Sequence, residues 1–512
     1  MSQFSDPSKP LPRVSNVIVL GGGSAGFMAA LALKAILPGL QVKVIRSKDI
    51  GIIGVGEGST IPLVRFLHTT LQVPLKSFYD LARPTWKLGL KFIWGPRPHF
   101  FYPFGLQVTS RVPELPRPIG HYCAEEMNDW DTHSSLMIQD KVFVRRPDGK
   151  PQMHASLSYH FENDKFVMFL ETYAQSMGIE IVEDTVAEAT QNDAGITGLK
   201  MKSGTTQTAD LYVDCSGFIS FLLGKTLKEP FDSFKSSLFC DRAVVGGWAR
   251  SDEPIKPYTL CETMQSGWCW QIEHENRINR GYVYSSDFIS DEDADREYKA
   301  QNPKVAQTRV VKFVSGRYRR GWVKNVVAIG NSTGFVEPLE ATALGVIAAQ
   351  ATRLANVLRD SDREIRPTQI KVYNHEYSSE WDCIRGFIAM HYKFNRRIDN
   401  KFWRACQNDT ELCTGQPLVD YYLENGPAPF WDTVLCGGSR AFRSFDFATL
   451  MLGQRVEWKS RREPSASEKA AWAVQRQKNK SIADNGFTVK EALDAVHAPG
   501  YQWEPSALTT VG

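Results

Sequence analysis

The stretch VSNVIVLGGGSAGFMAALALKAI, Val14 to Ile36, decides the fold. Val17 to Leu20 is an apolar run of strand length; the glycines Gly21-x-Gly23-x-x-Gly26 follow, and an alanine-rich helical pattern begins at once. Gly21 permits a tight turn, Gly23 lets a pyrophosphate approach the backbone, and Gly26 allows close helix–strand packing. Ser24 and Ala25 open the helix, whose free N–H groups and positive dipole end suit an anion. Strand, glycine turn and helix in this order predict a dinucleotide site on a Rossmann-type α/β domain.

The next strand, QVKVIR, should end in an acid for the ribose hydroxyls but ends in Arg46. A basic residue there suits a 2′-phosphate, or the acid is dispensed with, leaving Ser47 as the nearest ribose contact. Two later segments bear on nicotinamide against flavin. ADLYVDCSG (209–217) ends a strand at Asp214, and NVVAIGNSTGFVEPLEATALG (325–345) ends one at Gly330. A nucleotide domain closed by two such distant turns looks like an FAD-binding monooxygenase-type fold. The largely β chain between them fits a sheet laid over the flavin, and in EDTVAEA (183–189) the backbone of Val186 can meet the adenine. Related hydroxylases place an aspartate where this chain has Asn331.

Composition bounds the partners. The 512 residues are 42% hydrophobic and 11% aromatic, enough for a large core, and a net charge of +3 without a long like-charge block points to a small molecule and away from nucleic acid or a membrane surface. The nine cysteines form no CxxC pair, so neither a metal site nor a disulfide framework is indicated. MSQFSDPSKPLPR lacks the apolar centre of a signal peptide and no apolar run reaches membrane-spanning length, which sets the expectation of a cytoplasmic protein.

RPTWKLGLKF (83–92) alternates as one β-strand. Trp86, Leu88, Leu90 and Phe92 would line one face; Thr85, Lys87, Gly89 and Lys91 the other, where a lysine is usually a solvated residue. SGWCWQIEHENRINRGYVYSS (266–286) puts Trp268, Trp270 and Ile272 on one strand face, as a core layer would.

In combination, GGGSAG, GVGEGST (54–60), PTWKLG around Lys87, WCWQI (268–272) and FVEPLEAT (335–342), in that order, resemble the flavin-dependent halogenases of the tryptophan-halogenase family over roughly residues 15 to 410. The resemblance implies a GR2-type Rossmann, FAD-binding monooxygenase-like fold with a large β-sheet, and an enzyme that uses reduced FAD, dioxygen and chloride or bromide to make hypohalous acid. Trp268 and Trp270 would then crowd the space beside the flavin so that only halide reaches it. The oxidant would travel through the protein to Lys87, which hydrogen-bonds it or becomes a haloamine and delivers an electrophilic halogen to an electron-rich arene, such as an indole. Glu340 would stabilise the cationic arene or take its proton. The N–H groups of Thr342 and Ala343 would hold halide, and FAD contacts would include Ser24, Ala25, Glu57, Asn331 and Leu344.

Two departures from the family pattern stand out, Glu273 where the tryptophan motif usually has proline and Ala341 where a serine usually follows the glutamate; Asn331 departs from the aspartate of the related hydroxylases and leaves the ribityl contact open. Phe101, Tyr102 and Phe104 of HFFYPFG are candidates for sandwiching the arene. From about residue 360 the periodicity turns helical, starting with ATRLANVLRD (351–360) and going on in HEYSSEWDCIRGFIAMHYKF and RREPSASEKAAWAVQRQ. This divides the chain into an FAD-binding module over 13–360 and a mainly helical substrate-side module over 361–512. With no second nucleotide fingerprint, reduced flavin would come from a separate NAD(P)H flavin reductase; a homodimer is compatible with the sequence. An FAD-dependent aromatic hydroxylase, or a flavin-binding protein without catalysis, is the alternative.

Overall fold

The computed structural model describes residues 13–47, 51, 56–428, 441–504 and 508. Residues 1–12 of the N-terminal stretch, Gly54 and Val55 of GVGEGST, and Pro429 and Phe430 lie outside the described residues.

The opening stretch folds as its pattern requires, into strand Asn16–Leu20, a glycine turn and helix Ser24–Ile36. It sits at the centre of a six-stranded sheet ordered Glu180–Glu183, Gln41–Arg46, Asn16–Leu20, Leu211–Asp214, Val326–Ala328 and Trp322–Val323, parallel except at the last pair. Its inner strands NVIVL, LYVD and VVA read as nearly continuous apolar runs because both faces are covered there, whereas QVKVIR and EIVE toward one edge keep charged residues. Helix Ser24–Ile36 packs beside helix Ala343–Asp360 and against helix Asn163–Ser176. After Glu183 the chain leaves this sheet, and Val186–Asn192 starts a separate three-stranded antiparallel sheet.

The second large element is a seven-stranded sheet in the order Arg309–Lys312, Arg242–Ala249, Arg277–Tyr284, Gly267–Glu273, Tyr258–Met264, Gly89–Ile93 and Phe100–Pro103. All neighbours are antiparallel except Tyr258–Met264 with Gly89–Ile93. Cross-strand partners share a face, so Trp268, Trp270 and Ile272 lie level with Thr263, Cys261 and Thr259, and beyond them Phe92 and Leu90 pair with Phe100 and Tyr102. This is the inner face. Glu273 is on the outer face, as alternation requires, where Arg250 and Gln271 bind its carboxylate at 2.5 and 2.6 Å.

The expectation of one continuous strand through Lys87 is corrected. Thr85–Lys87 pairs with Ser158–Phe161 in a small three-stranded sheet, whereas Gly89–Ile93 belongs to the large one. Between them Leu88 donates its N–H to Pro257 and accepts from Phe104. The alternating pattern continues across the junction because residues 85 to 90 are buried on both sides.

The C-terminal part is mainly helical: Pro367–Phe394, Lys401–Asp409, Gln416–Asn425, Ser444–Gly453, Ala466–Asp484 and Val489–His497. Helix Ala466–Asp484, capped by Ser465, buries Trp472 and Asn479 and exposes most of its basic residues. Among the described residues no helix is long and apolar enough to cross a membrane, and no cluster of His, Cys, Asp and Glu is arranged to hold a metal.

Candidate active site

Lys87 is fully buried and its Nζ has no hydrogen-bond partner among the described residues. Burial lowers its pKa to about 8, against the opposing pull of Glu340 and Cys261. Such an amine loses its proton easily, and a lone pair can attack an electrophile. Phe104 presents its ring 5.4 Å from Nζ. Gly89, two residues on, does not face the amine: a Cβ there would lie 2.3 Å from the carbonyl oxygen of Tyr102. The glycine facing the amine is Gly58, where a Cβ would lie 3.5 Å from Lys87 Nζ and 3.4 Å from Ala341 Cβ.

The carboxylate partner comes from EPLE. Pro338–Glu340 is a single 3₁₀ turn, Ala341 then takes the left-handed conformation (φ 52°, ψ 37°), and the α-helix starts only at Ala343. The 3₁₀ turn and the helix are therefore two separate elements, joined through Ala341 and Thr342. The turn of hand at Ala341 and Thr342 (φ −77°, ψ −21°) brings successive N–H groups to one side, an anion-binding form of backbone. Leu344 follows in the first helical turn, its side chain buried in the core.

Glu340 is buried, and its Oε1 lies 2.7 Å from His391 Nε2. His391 Nδ1 faces the Phe387 carbonyl oxygen at 2.8 Å. A carbonyl only accepts, so Nδ1 carries a proton and the Nε2–Oε1 contact holds one further proton between base and acid. Sequence reasoning missed this histidine. The available signal was a polar ring inside the apolar stretch FIAMHY, which must find a buried partner. Tyr392, the next residue, donates to Glu337 Oε1 at 2.5 Å, and Trp268 Nε1 donates to the same oxygen at 3.0 Å.

Trp268 and Trp270 are buried with ring centroids 6.0 Å apart. Trp270 occupies a notch made by Gly281, where a Cβ would lie 2.2 Å from the ring. At the Ile272–Asn279 end of the inner face a cleft of about 520 Å³ is lined by Gly56, Asn163, Val245, Gly247, Arg277 and Asn279, among others. Next to it Glu57 accepts a 2.5 Å hydrogen bond from Asn163, and burial raises its pKa to about 7.

The arene candidates divide. Tyr102 lies on the inner face, its hydroxyl donating to Asp446 at 2.5 Å and its ring 6.4 Å from that of Phe387. Phe101 alternates onto the outer face, 5.6 Å from Tyr258 and under the Lys91 amine, so its place as a substrate contact is corrected.

At the nucleotide end the three glycines meet different surroundings. A Cβ at Gly21 (φ 130°) would lie 2.2 Å from the Cys215 carbonyl and one at Gly26 1.8 Å from that of Gly21, while Gly23 faces open space at the helix start beside Ser24. Open backbone at Gly23 fits a pyrophosphate. Ala25 packs against the Gly330 turn, whose N–H is held by Gln350, and Asn331 follows in that turn. Ser47 reaches Thr185 at 2.7 Å, which brings it beside the start of the Val186 strand. Arg46 is committed to Glu171 at 2.5 Å. The Asp214 side chain is buried and accepts from Ser216 N and Oγ and from the N–H groups of Leu222 and Leu223, and so caps the following turns.

The family model described as tryptophan halogenase matches residues 16–469. This chain belongs to the tryptophan halogenase family. It is 34% identical over 446 residues to tryptophan 7-halogenase KtzQ of Kutzneria sp. (strain 744), covering 80% of this chain and 81% of that one. It is 32% identical over 445 residues to tryptophan 7-halogenase RebH of Lentzea aerocolonigenes, covering 80% and 82%. Among solved structures, MibH, titled a lathipeptide tryptophan 5-halogenase, superimposes with a TM-score of 0.86 at 36% identity over 97% of this chain and 95% of that one. The expected FAD-binding monooxygenase-like fold is thereby shown, and family membership implies use of flavin and halide.

Proposed function

We propose that this flavin-dependent halogenase transfers chlorine or bromine to an indole, with Lys87 and Glu340 at the carbon–halogen bond-forming end. The observation that carries the reading is the Lys87 amine: sealed from solvent, without a hydrogen-bond partner among the described residues, beside Glu340 and Phe104, in a chain of this family.

The residues present fit FAD. Gly21, Gly23, Ser24, Ala25 and Gly26 would hold the pyrophosphate, Ser47 and the backbone at Val186 the adenosine half, and Glu57, Gly330, Asn331 and Leu344 the flavin half, with the cleft beside Gly56 adjoining it. Bound and reduced, the cofactor supplies with dioxygen the two-electron oxidation of halide to hypohalous acid. The N–H groups of Thr342 and Ala343 hold the halide. Trp268 and Trp270 fill the space through which an organic substrate would otherwise approach the flavin.

At the other end, Lys87 receives the oxidant. Hypohalous acid plus arene gives haloarene plus water, and the arene proton must leave the ring as the carbon–halogen bond forms. Glu340 takes it, its carboxyl held in place by the 2.7 Å contact with His391 that already carries one proton. That histidine provides a proton partner where Ala341 lacks the hydroxyl usual in the family. Tyr102 and Phe104 hold the arene. The relatives named for tryptophan, including one named for a lathipeptide, make free tryptophan, indole and tryptophan-containing peptides the substrates to try first.

The test supplies FAD, a separate flavin reductase, NADH, air and bromide or chloride with that panel, and identifies products by halogen isotope pattern. A brominated or chlorinated indole is expected. Hydroxylated product without halide would establish the hydroxylase, and bound FAD without product the non-catalytic reading. If Lys87 reacts as the free amine, kcat rises about tenfold per pH unit below the lysine pKa. It then levels near about 8. A rate that falls through the same pH would instead identify the ammonium ion as the hydrogen-bond donor.

A further inference from the structure

The single 3₁₀ turn Pro338–Glu340 and the residue before it bring two buried glutamates together, and consecutive residues of helix Pro367–Phe394 grip them: His391 holds Glu340 and Tyr392 holds Glu337. Only Glu340 lies among the reacting groups. Glu337 is fully buried, yet it faces Trp268, whose indole N–H it accepts at 3.0 Å alongside the Tyr392 hydroxyl at 2.5 Å. Both donors reach Oε1, and Oε2 has no partner among the described residues. Tyr392 is itself fixed, stacked on Trp403 with centroids 5.7 Å apart and 3.4 Å from Cys240 Sγ.

An isolated buried carboxyl is expensive to keep, and tryptophan and tyrosine could be buried here without one if their donors met backbone carbonyls. Trp403 does so with the Met264 carbonyl, and Trp94 with that of His391. Trp268 instead is tied across the interior, from the large sheet to the turn that carries Glu340. The neighbouring Trp270 is held by shape alone, in the Gly281 notch with its Nε1 unpartnered. Of the two tryptophans, only Trp268 has its plane set by a hydrogen bond.

We propose that Glu337 is a positioning residue that fixes the plane of the Trp268 indole in the packing that keeps organic substrate from the flavin, and so sets how many of the reducing equivalents end in halogenated product instead of hydrogen peroxide. It touches neither substrate nor reacting atoms. The inference rests on the reading of Trp268 as part of that packing, and the variants separate the two.

The experiment compares Glu337→Gln, Glu337→Leu, Tyr392→Phe, Trp268→Phe and the Trp268→Phe/Glu337→Leu double variant. Halogenated product and hydrogen peroxide are measured per NADH consumed, FAD affinity is measured separately, and the indole N–H resonance of Trp268 is followed in the protein without FAD. Glutamine still offers an acceptor oxygen, so Glu337→Gln should keep the resonance position and stay within about twofold of wild-type coupling. Glu337→Leu removes the acceptor; the resonance should shift upfield, and product per NADH should fall about tenfold at unchanged FAD affinity. Tyr392→Phe leaves Trp268 as the remaining donor and should couple nearly normally, which keeps the proposal testable if the leucine variant does not fold. The double variant should be no worse than the worse of its parents, because both remove one interaction.

Equal losses for glutamine and leucine, additive losses in the double variant, or an unmoved resonance in Glu337→Leu would each overturn the role of Glu337. A Trp268→Phe enzyme that couples normally would remove the role of Trp268 itself, and with it the reason for fixing its plane.

Discussion

Lys87 and Lys91 lie four residues apart in a run whose alternation assigns them one strand face, and the fold gives them opposite environments. Lys91, in the large sheet, is half-buried on the outer face, its amine 5.5 Å from the Phe101 ring and 5.7 Å from that of Tyr258, in the fields of Asp140 and Lys256. Lys87, in the small sheet with Ser158–Phe161, is sealed beside Glu340 and Cys261. The break at Leu88 separates an ordinary snorkelling lysine from a fully buried amine of lowered pKa. What distinguishes the amine proposed for catalysis is which sheet its strand joins, a property of tertiary pairing.

The largest expected effect tests that contrast directly. Lys87→Ala should lower the halogenation rate about a thousandfold or more, with FAD still bound, while Lys91→Ala should stay within about twofold. Product formation per unit of FAD-loaded enzyme is the measurement; equal losses in the two variants would erase the distinction. Next in size, Glu340→Gln should cost about a hundredfold in kcat, because the amide can neither take the arene proton nor share one with His391. Substrate KM should change little in that variant.

The two glycines that flank the amine sharpen the same comparison in stability. Gly89→Ala drives a Cβ to 2.3 Å from the Tyr102 carbonyl and 2.7 Å from Pro103 Cα, both backbone atoms of the neighbouring strand, and nothing can move aside cheaply. A loss of about 2–3 kcal/mol in urea unfolding is expected. Gly58→Ala meets only the Thr259 hydroxyl, Ala341 Cβ and the Lys87 amine, at 3.3, 3.4 and 3.5 Å. It should cost less than about 1 kcal/mol and act on turnover instead, by crowding the amine.

The nucleotide end was legible because its requirements are local. Gly21, Gly23 and Gly26 announce backbone turns and approaches within one strand–helix unit, and Ser47 and the Val186 strand follow from the same topology. The limits were equally physical. Asp214 carries the right chemistry for a cofactor contact, but the N–H groups it caps, at Leu222 and Leu223, become visible only when the chain turns back on it. Phe101 and Tyr102 are adjacent letters on opposite faces, and with the sheet register unknown either can be assigned inward. His391 lies about fifty residues beyond Glu340 in another element, and a single sequence carries no signal linking them beyond the oddity of a histidine in an apolar helix stripe.

The smallest effect is also the most diagnostic of the Lys87 environment. In the unfolded chain a lysine keeps its proton to pH 10.5, while in the fold Lys87 releases it near about 8. Between those values the unfolded state binds more protons, so stability rises with pH, by about 3 kcal/mol for a shift of this size. Below pH 8 both states carry the charge and the burial penalty is present in full; above 10.5 both are neutral and it is gone. Lys87→Met removes the titration and keeps the bulk of the side chain, so it should be the more stable protein at pH 7, and its advantage should shrink steadily between pH 8 and 10.5. The corresponding difference for Lys91→Met should be smaller, because that amine is half in solvent. Urea midpoints across this range decide it: an advantage of Lys87→Met that did not change with pH would mean that the amine keeps its proton in the fold as it does in water, and the chemical difference between the two lysines would have to come from position alone.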